Sequence, residues 1–260
     1  MKISIITATF NSASTLRDTF DSILAQTYKN YELIVQDGHS KDKTLDIIRE
    51  YEPRFEGKMK WVSESDKGIY DAMNKGIARA SGDIVGVLNS DDLYYDEKVL
   101  DEINNAFERY HSDCVFANLI YVHQDDVTKV SRTWISSPYK KGKFQRGWAP
   151  AHPTFYIKRS CIEKYGAFNI DYQVSADFEF MLRMLESHHI LPIFIDRFFV
   201  RMRVGGESNG TLQNIIKGNR NILRAFKENN IPVSRLYPFY RLLPKIFNLV
   251  NNKIARKRIK

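Results

Sequence analysis

The sequence predicts an α/β fold: a single Rossmann-like domain with a mixed, mostly parallel central sheet, followed by a basic helical C-terminal extension. Strand and helix patterns alternate through the first 110 residues, as is typical of a parallel sheet covered by helices on both faces. The chain has 260 residues, of which 43% are hydrophobic and 27% charged. This composition suits one large domain with a small additional element and excludes disordered, collagenous and disulfide-based proteins.

Apolar runs and amphipathic patterns define the elements of the first half. The predicted strands lie at 3–8, 31–35, 60–62 and 83–88, and the predicted helices follow Ser14 and span 42–51 and 69–80. In the first helix, Leu16, Phe20 and Ile23 share one face, and Asn11 or Ser14 can cap its start. Ligands of such sheets bind at the carboxyl ends of the strands, so the residues that follow each strand are the candidates for a site.

The second half is less regular and carries the basic end of the chain. Strands are predicted at 114–122, 128–134, 151–157, 191–195 and 199–203, and helices at 159–164, 177–187 and 212–227. Residues 201–260 contain 14 Lys or Arg and two Asp or Glu, whereas residues 1–200 contain 25 and 29. The best boundary is the Asn-Asn-Ile-Pro segment at 229–232. It predicts a domain over 1–230, with halves 1–110 and 111–230, and a tail over 231–260.

The tail is basic, aromatic and amphipathic. Residues 234–260 contain eight Lys or Arg and no acidic residue, with Pro238 and Pro244 interrupting the helical pattern. This pattern favours a helix lying at a membrane surface, and the alternative is a terminal helix packed on the domain with a solvated basic end. No apolar run approaches the roughly 18 residues that span a bilayer, and the first residues do not resemble a signal peptide. Cys114 and Cys161 show no metal-site spacing, which favours a reducing compartment.

The strongest chemical motif is Asn89-Ser90-Asp91-Asp92, directly after the strand at 83–88. Adjacent carboxylates repel each other unless a cation binds them. Hard oxygen ligands suit Mg²⁺ or Mn²⁺, which would bridge a diphosphate. The alternative is that one aspartate caps the next helix and the other faces water, although Asp96 competes for that cap.

Each of three further positions has two alternative interpretations, one functional and one structural. Asp37 ends the second strand beside residues 8–11 and is either a nucleobase acceptor or a turn residue. Asp177 opens an apolar helix, where it is either a helix-start acid or a base in the partly dry surroundings of Phe178 and Phe180. His152, before Pro153, is either a site residue or a surface-loop histidine.

The segment after the last strand is rich in hydrogen-bond donors. Arg203, Gly205, Gly206 and Ser208 lie within six residues, and their backbone N–H groups and the guanidinium are suited to closing over a diphosphate. The alternative is that the two glycines simply form a turn.

Together these segments resemble family 2 glycosyltransferases of the GT-A fold, and in particular the bacterial members that build polysaccharides or lipid-linked glycans. The matching motifs are TATFNS (7–12), QDGHSKDKT (36–44), DKGIYDAMNKGI (66–77), SGDIVGVLNSDD (81–92), AHPTFYIKRS (151–160), SADFEFMLRM (175–184) and RVGGES (203–208). They occur in the expected order over about 1–210. One departure is Asn89, where the acidic motif of the family often has an aspartate.

The resemblance implies an inverting, metal-dependent glycosyltransferase. It would move a sugar from a nucleotide sugar, with UDP favoured and GDP possible, to a glycan or lipid-linked acceptor in the synthesis of cell-surface polysaccharide. Residues 1–110 would form the nucleotide-binding half and 111–230 the acceptor half. The enzyme would be cytoplasmic, peripheral on the membrane and without a nucleic-acid partner.

The resemblance also implies individual roles. Asp177 would be the general base, and Asp92, with Asp91, would bind Mg²⁺ or Mn²⁺. The implied nucleotide-binding residues are Thr9, Asp37, Asp66, Asn74, Asn89 and Asp91, and those near the diphosphate or acceptor are His152, Arg203, Gly205, Gly206 and Ser208.

Three alternatives are weighed against this prediction. A nucleotidyltransferase would need a basic loop to hold a triphosphate near the first strand, yet residues 7–14 contain no Lys or Arg. A nucleic-acid-binding protein would more often carry its charge on a folded face than in a tail. An inactive glycan-binding relative is disfavoured because Asp92 and Asp177 are both present.

Overall fold

The computed structural model describes residues 1–205, 212–234 and 236–241, and within these ranges nine strands form one mixed sheet flanked by helices. The strands are β1 (Ile3–Thr9), β2 (Tyr31–Asp37), β3 (Met59–Ser63), β4 (Ile84–Val87), β5 (Leu93–Tyr94), β6 (Cys114–Val122), β7 (Val130–Trp134), β8 (Tyr156–Lys158) and β9 (Pro192–Arg203). The helices are α1 (Leu16–Leu24), α2 (Thr44–Tyr51), α3 (Ile69–Ala78), α4 (Val99–Tyr110), α5 (Arg159–Tyr165), α6 (Ala176–Leu182), α7 (Leu212–Glu228) and α8 (Tyr237–Tyr240).

The strand order is β3-β2-β1-β4-β8-β6-β9-β5, with β7 paired to β6. The first four strands in this order run parallel, and β8 joins the two halves by pairing antiparallel with β4 and β6. Thr9 pairs with Asp37, and Asp37 pairs with Ser63, so the carboxyl ends of β1, β2 and β3 meet at one edge. The predicted α/β fold of the GT-A type, with its parallel first half, is confirmed.

The core lies on both faces of the sheet. Every residue of β1 and β2 is buried, because α1 and α2 cover one face and α3 covers the other. Strands covered on both faces are continuous apolar runs rather than alternating patterns. This coverage explains why β1 and β2 were recognisable as short apolar runs in the sequence.

The segment 151–157 differs from its predicted strand. His152–Thr154 forms a single 3₁₀ turn, and only Tyr156–Lys158 pairs in the sheet. Pro153 has no N–H to donate to a neighbouring strand, and the hydroxyl of Thr154 donates to the carbonyl of Ala117 at 3.1 Å. The proline and this side-chain bond therefore replace strand pairing with a turn that projects His152.

Two other predictions differ in detail. The strands predicted at 191–195 and 199–203 form the single strand β9, which stays continuous through a bulge opposite Ala117 and Asn118 on β6. The predicted helix at 177–187 begins as α6 and continues as a π-helical turn, Arg183–Ser187.

The chain remains attached to the core beyond residue 230. The side chain of Tyr237 is 1% exposed, and its ring lies 4.9 Å from that of Phe226 on α7. Residues 235 and 242–260, which include most of the predicted tail, lie outside the described residues. Among the helices that the structure describes, none combines the length and apolarity needed to cross a membrane.

Candidate active site

A cavity of about 920 Å³ opens at the carboxyl edge of the parallel strands. The cavity is lined by residues that follow β1 and β4, and also by His152, Asp177 and the segment before α6. Of the sequence-predicted residues, Thr9, Asp66, Asn89, Asp91, His152, Asp177 and Gly205 line this cavity. The fold thus brings together residues that are up to 196 positions apart in the sequence.

The acidic motif includes buried side-chain oxygens that lack a hydrogen-bond partner in the described part of the chain. Asp92 is fully buried, and the amide of Asn89 donates to its Oδ2 atom at 3.0 Å. Within the described part of the chain, the Oδ1 atoms of Asp92 and Asn89 are buried without a hydrogen-bond partner. Burial and the neighbouring Asp91 raise the pKa of Asp92 well above its ordinary value, and burial also raises the pKa of Asp91.

These groups fit a divalent cation. Adjacent buried carboxylates whose pKa values are raised gain most from a positive charge, and orphaned oxygens are suitable ligands for Mg²⁺ or Mn²⁺. Asp91 lines the cavity, whereas Asp92 lies behind it. No three His, Cys, Asp or Glu side chains of the described residues form a complete metal cage. A bound cation would therefore take further ligands from water or from substrate phosphate.

Arg203 supports the acidic motif from behind. Its side chain is 4% exposed, and its guanidinium donates from Nη1 to the Asp91 carbonyl oxygen at 2.6 Å and from Nε to that of Gln124 at 3.2 Å. It also pairs with the carboxylate of Asp18 on α1. These three contacts engage the Nε, Nη1 and Nη2 atoms of the Arg203 guanidinium. Gly205 follows with a φ of +112° and lines the cavity, while Gly206 and Ser208 lie outside the described residues.

Asp37 lies beneath the cavity. It is fully buried and accepts hydrogen bonds from the hydroxyls of Thr9 at 3.0 Å and Ser63 at 2.6 Å. Ser40 adds a hydroxyl and a backbone N–H. The Asp37 carboxylate therefore ties together the ends of three strands, and Thr9 is the partner that reaches the cavity.

Asp66 lines the cavity, whereas Asn74 does not. Asp66 accepts the N–H of Gly68 at 2.8 Å, and its Oδ2 atom lies 2.4 Å from where a Cβ on Gly38 would stand. A side chain at position 38 would therefore displace Asp66 from the cavity wall. Asn74 does not line the cavity but exchanges two hydrogen bonds with the backbone of Phe168, at 2.8 and 3.0 Å.

Asp177 contacts two polar partners, one through each carboxylate oxygen. Its Oδ1 atom accepts from the Tyr70 hydroxyl at 3.1 Å, and its Oδ2 atom lies 3.1 Å from Nδ1 of His152. The side chains of Asp177 and His152 are 24% and 31% exposed, so both are accessible from the cavity. Burial, together with the charge of Asp177, raises the pKa of Tyr70 well above its ordinary value, which keeps the phenol a donor.

The backbone before Asp177 is in an unusual conformation. Ser175 has a φ of +69°, which places it in the left-handed region that side chains other than glycine seldom adopt. Asn11 and His39, which follow β1 and β2, have φ values of +50° and +62°. Such conformations cost about 1–3 kcal/mol each and persist where the surrounding structure holds them, commonly at functional sites.

Three residues of the site were not predicted. Phe10 is 63% exposed at the cavity mouth, and Tyr70 and Lys217 also line the cavity. Phe10 and Tyr70 stand within the quoted motifs TATFNS and DKGIYDAMNKGI, so an exposed aromatic residue directly after a strand was an available signal. Lys217, on the exposed face of α7, shows no local signal that distinguishes it from other surface lysines.

A GT-A-type fold with acidic residues at its carboxyl edge is the arrangement that the resemblance to glycosyltransferases implies. The chain belongs to glycosyl transferase family 2, whose family model matches residues 4–164. It is therefore a transferase of sugars, as the resemblance implied, and family membership disfavours the nucleotidyltransferase alternative.

Relatives of known name agree with this assignment. A PGL/p-HBAD biosynthesis glycosyltransferase of Mycobacterium bovis is 27% identical over 248 residues, which cover 94% of this chain and 92% of that protein. A second glycosyltransferase, from Mycobacterium tuberculosis, is 34% identical over 183 residues. The alignment covers 70% of this chain and 68% of that protein.

Solved structures share the fold at low identity. TarS 1–349 of S. aureus superimposes with a TM-score of 0.68 at 17% identity, covering 92% of this chain and 68% of that one. Structures of TarS 1–349 with UDP and with UDP-GlcNAc have been solved. The mannosyltransferase PcManGT of Pyrobaculum calidifontis, solved with GDP-Man and Mn²⁺, has a TM-score of 0.65 at 18% identity. The superposition covers 97% of this chain and 71% of that one.

Proposed function

We propose that this enzyme transfers a sugar from a nucleotide sugar to an acceptor hydroxyl with inversion at the anomeric carbon, assisted by a divalent cation. The observation that carries the proposal is that Asp91 of the acidic motif and Asp177 line the same cavity. A donor diphosphate bound beside Asp91 and an acceptor beside Asp177 would bring the hydroxyl to the anomeric carbon on the face opposite the leaving group. A single displacement then inverts that carbon without a covalent intermediate.

The nucleotide would bind at the edge formed by β1 and β4. The exposed ring of Phe10 offers a surface on which a nucleobase can stack, and the hydroxyl of Thr9 and the carboxylate of Asp66 provide polar partners beside it. Related folds bind UDP, UDP-GlcNAc and GDP-Man. We favour a UDP-sugar, with a GDP-sugar as the alternative.

A divalent cation would be held by Asp91 and Asp92 together with the diphosphate. Asp66, Asp91 and Asp177 line the cavity, while Lys217 is the only Lys or Arg among its described lining residues. Donor binding would therefore add negative charge to an acidic cavity. The cation, when bound, offsets this charge and the charge that develops on the departing diphosphate.

Asp177 would supply the basic group for the acceptor hydroxyl. It lines the same cavity as Asp91, and Tyr70 and His152 each contact one of its oxygens. A carboxylate fixed in this way loses little conformational freedom when the acceptor arrives.

The acceptor is proposed to be a glycan or a lipid-linked saccharide, made at the cytoplasmic face of the membrane. The relative from Mycobacterium bovis carries the name of PGL/p-HBAD biosynthesis. Residues 231–260 would form a basic amphipathic tail that docks domain 1–230 peripherally, because 234–260 contain eight Lys or Arg and no acid. Residues 1–230 contain 31 Lys or Arg and 31 Asp or Glu, so the tail would supply the attraction to an anionic surface.

Calorimetry and product analysis test the proposal. UDP and GDP are titrated into the protein with and without Mn²⁺, and the nucleotide that binds selects the sugar donors for assay. We expect Mn²⁺ to strengthen binding of one nucleotide by at least ~10-fold, since a cation held by Asp91 and Asp92 would offset the charge of the diphosphate. NMR of the first product from an α-linked donor should show a β-linked sugar. Retention of the anomeric configuration, or nucleotide affinity independent of Mn²⁺, contradicts the proposal.

A further inference from the structure

We propose that Asp177 acts on the acceptor hydroxyl through His152, whose Nε2 atom accepts the proton while Asp177 holds and stabilises the imidazole ring. This inference rests on the proposed function, since it assumes that Asp177 serves the acceptor. It adds His152 as a catalytic residue and assigns the proton to a particular atom.

The contact with Asp177 indicates the tautomer of His152. Nδ1 of His152 lies 3.1 Å from Oδ2 of Asp177. An ionised carboxylate can only accept hydrogen bonds, so Nδ1 must be the donor. A neutral imidazole carries one proton, and its presence on Nδ1 leaves a free lone pair on Nε2. The pair is thus arranged with the carboxylate behind the ring and a basic nitrogen on its other side.

The Asp177 carboxylate is less available as a proton acceptor than the His152 ring. Both Asp177 oxygens are engaged, one with His152 and the other with the Tyr70 hydroxyl at 3.1 Å. An acceptor hydroxyl would have to compete with these two groups for the carboxylate oxygens. By contrast, His152 lines the cavity with a side chain that is 31% exposed, and no described residue bonds its Nε2 atom.

The backbone around His152 holds the ring in place. His152 begins a 3₁₀ turn in which Ala151, Pro153 and Thr154 are all buried. The hydroxyl of Thr154 bonds the carbonyl of Ala117, and the N–H of Ala117 bonds that hydroxyl at 3.0 Å. A proton acceptor that is carried by such a buried, hydrogen-bonded turn keeps its orientation between turnovers.

The step balances without any other reactant. The acceptor oxygen forms a bond to the anomeric carbon, while the bond from that carbon to the diphosphate breaks and its electron pair leaves with the diphosphate. The hydroxyl proton moves to Nε2, and the resulting imidazolium is stabilised by the Asp177 carboxylate. The proton is later lost to water in the cavity.

His152→Asn separates this mechanism from direct catalysis by Asp177. The asparagine amide can still donate to Asp177, but it offers no basic nitrogen. With the nucleotide sugar chosen by calorimetry and water as acceptor, we expect nucleotide release to fall by at least ~10²-fold with unchanged donor affinity. His111→Asn is the matched control, because His111 is exposed with a φ of +50°, a conformation that asparagine tolerates.

The outcomes distinguish this inference from the proposed function. If His152→Asn keeps its turnover while Asp177→Asn loses it, Asp177 is the direct base and the inference is wrong. If both variants keep their turnover, the base assignment within the proposed function fails as well. A loss of donor affinity in His152→Asn makes His152 a donor-binding residue and also overturns the inference.

Two further measurements do not depend on the fold of that variant. ¹⁵N NMR of histidine-labelled wild-type protein should show His152 with a protonated Nδ1 and an unprotonated Nε2. Added imidazole should restore part of the turnover of His152→Ala, since the cavity can admit it, but should not restore Asp177→Asn. Finding the Nε2–H tautomer, or equal rescue of both variants, contradicts the proposal.

Discussion

Arg203 donates a hydrogen bond from Nη1 to the main-chain carbonyl of Asp91 at 2.6 Å, behind the wall of the cavity. The same guanidinium bonds the carbonyl of Gln124 and pairs with Asp18. The buried guanidinium of Arg203 thus links α1, the acidic motif and the turn that follows β6. The guanidinium suits this position, because it is always charged and donates in several fixed directions.

Arg203→Lys should loosen the acidic motif. An ammonium group cannot reach all three partners, and the loss of a hydrogen bond involving a buried charge costs about 1.5–3 kcal/mol. We expect Mn²⁺-dependent nucleotide affinity to fall by about 10-fold or more, which calorimetry measures. Arg197→Lys is the control, because Arg197 pairs with Asp96 and Glu102 away from the cavity. Equal losses in both variants would indicate a general effect on folding.

Asp92→Asn should abolish metal-assisted nucleotide binding while the fold persists. Asp92 is buried beside Asp91, and its raised pKa shows that the charge is costly there. Removing the charge relieves that cost, so the urea midpoint should stay the same or rise. The Mn²⁺ dependence of nucleotide affinity should disappear, since a cation ligand is lost. Asp125→Asn, in the polar turn after β6, serves as the control. Metal dependence that survives in Asp92→Asn would remove Asp92 from the proposed ligands.

Asp177→Asn should lower turnover by at least ~10²-fold, the lower range for general acid–base catalysis. Asparagine keeps the size of the side chain but cannot stabilise a positive His152 or take up a proton. Donor affinity should change little, because Asp177 is proposed to serve the acceptor and not the diphosphate. The measurements are nucleotide release under saturating donor and the dissociation constant of the donor. A variant that loses donor affinity but keeps its turnover would place Asp177 in the nucleotide site.

Glu32→Gln should destabilise the protein in a pH-dependent way. Burial alone would raise the pKa of Glu32, but hydrogen bonds from Ser4, Lys2, the Ser81 N–H and Lys60 place it well below 4.5 overall. A lowered pKa contributes stability that is present above the unfolded-state value and is lost as the pH falls below it. The variant should therefore lose about 1.5–3 kcal/mol at pH 7.

The difference between wild type and Glu32→Gln should narrow as the pH falls below about 4.5. Urea unfolding at pH 7, 5, 4 and 3 measures it. Glu50→Gln is the matched control, because Glu50 is about half exposed and makes a surface pair with Arg17. A pH-independent difference would show that the charge of Glu32 is not the source of its contribution.

Removal of residues 242–260 should leave the core intact, whereas removal of residues 231–260 should not. Tyr237 is buried against Phe226, so a protein ending at 230 loses an aromatic contact of about 1.5–3 kcal/mol. The protein ending at 241 should keep the melting temperature of the full chain, and the shorter one should melt several degrees lower. Only the full chain should sediment with anionic vesicles, and less so at high salt. Equal sedimentation of the full chain and the protein ending at 241 would exclude docking by 242–260.

Much of the fold was predictable because it depends on local patterns. β1 and β2 are buried throughout, and α1 carries one apolar face, so short apolar runs and helical spacing identify them. Predictions failed where a single residue changes the backbone. Pro153 converts part of a predicted strand into a turn, and a bulge lets one strand continue where the sequence suggests two.

The sequence by itself determined the class of fold, the family and the set of polar residues at the ends of strands, because these depend on residue order and spacing. Only the tertiary structure decided how those residues are used. It buries Asp37 and Asp92, leaves Asp91 and Asp177 on the cavity walls, and pairs Asp177 with a histidine 25 positions away. Burial and hydrogen-bond partners depend on long-range packing across the sheet, and the spacing of residues along the chain does not encode them locally.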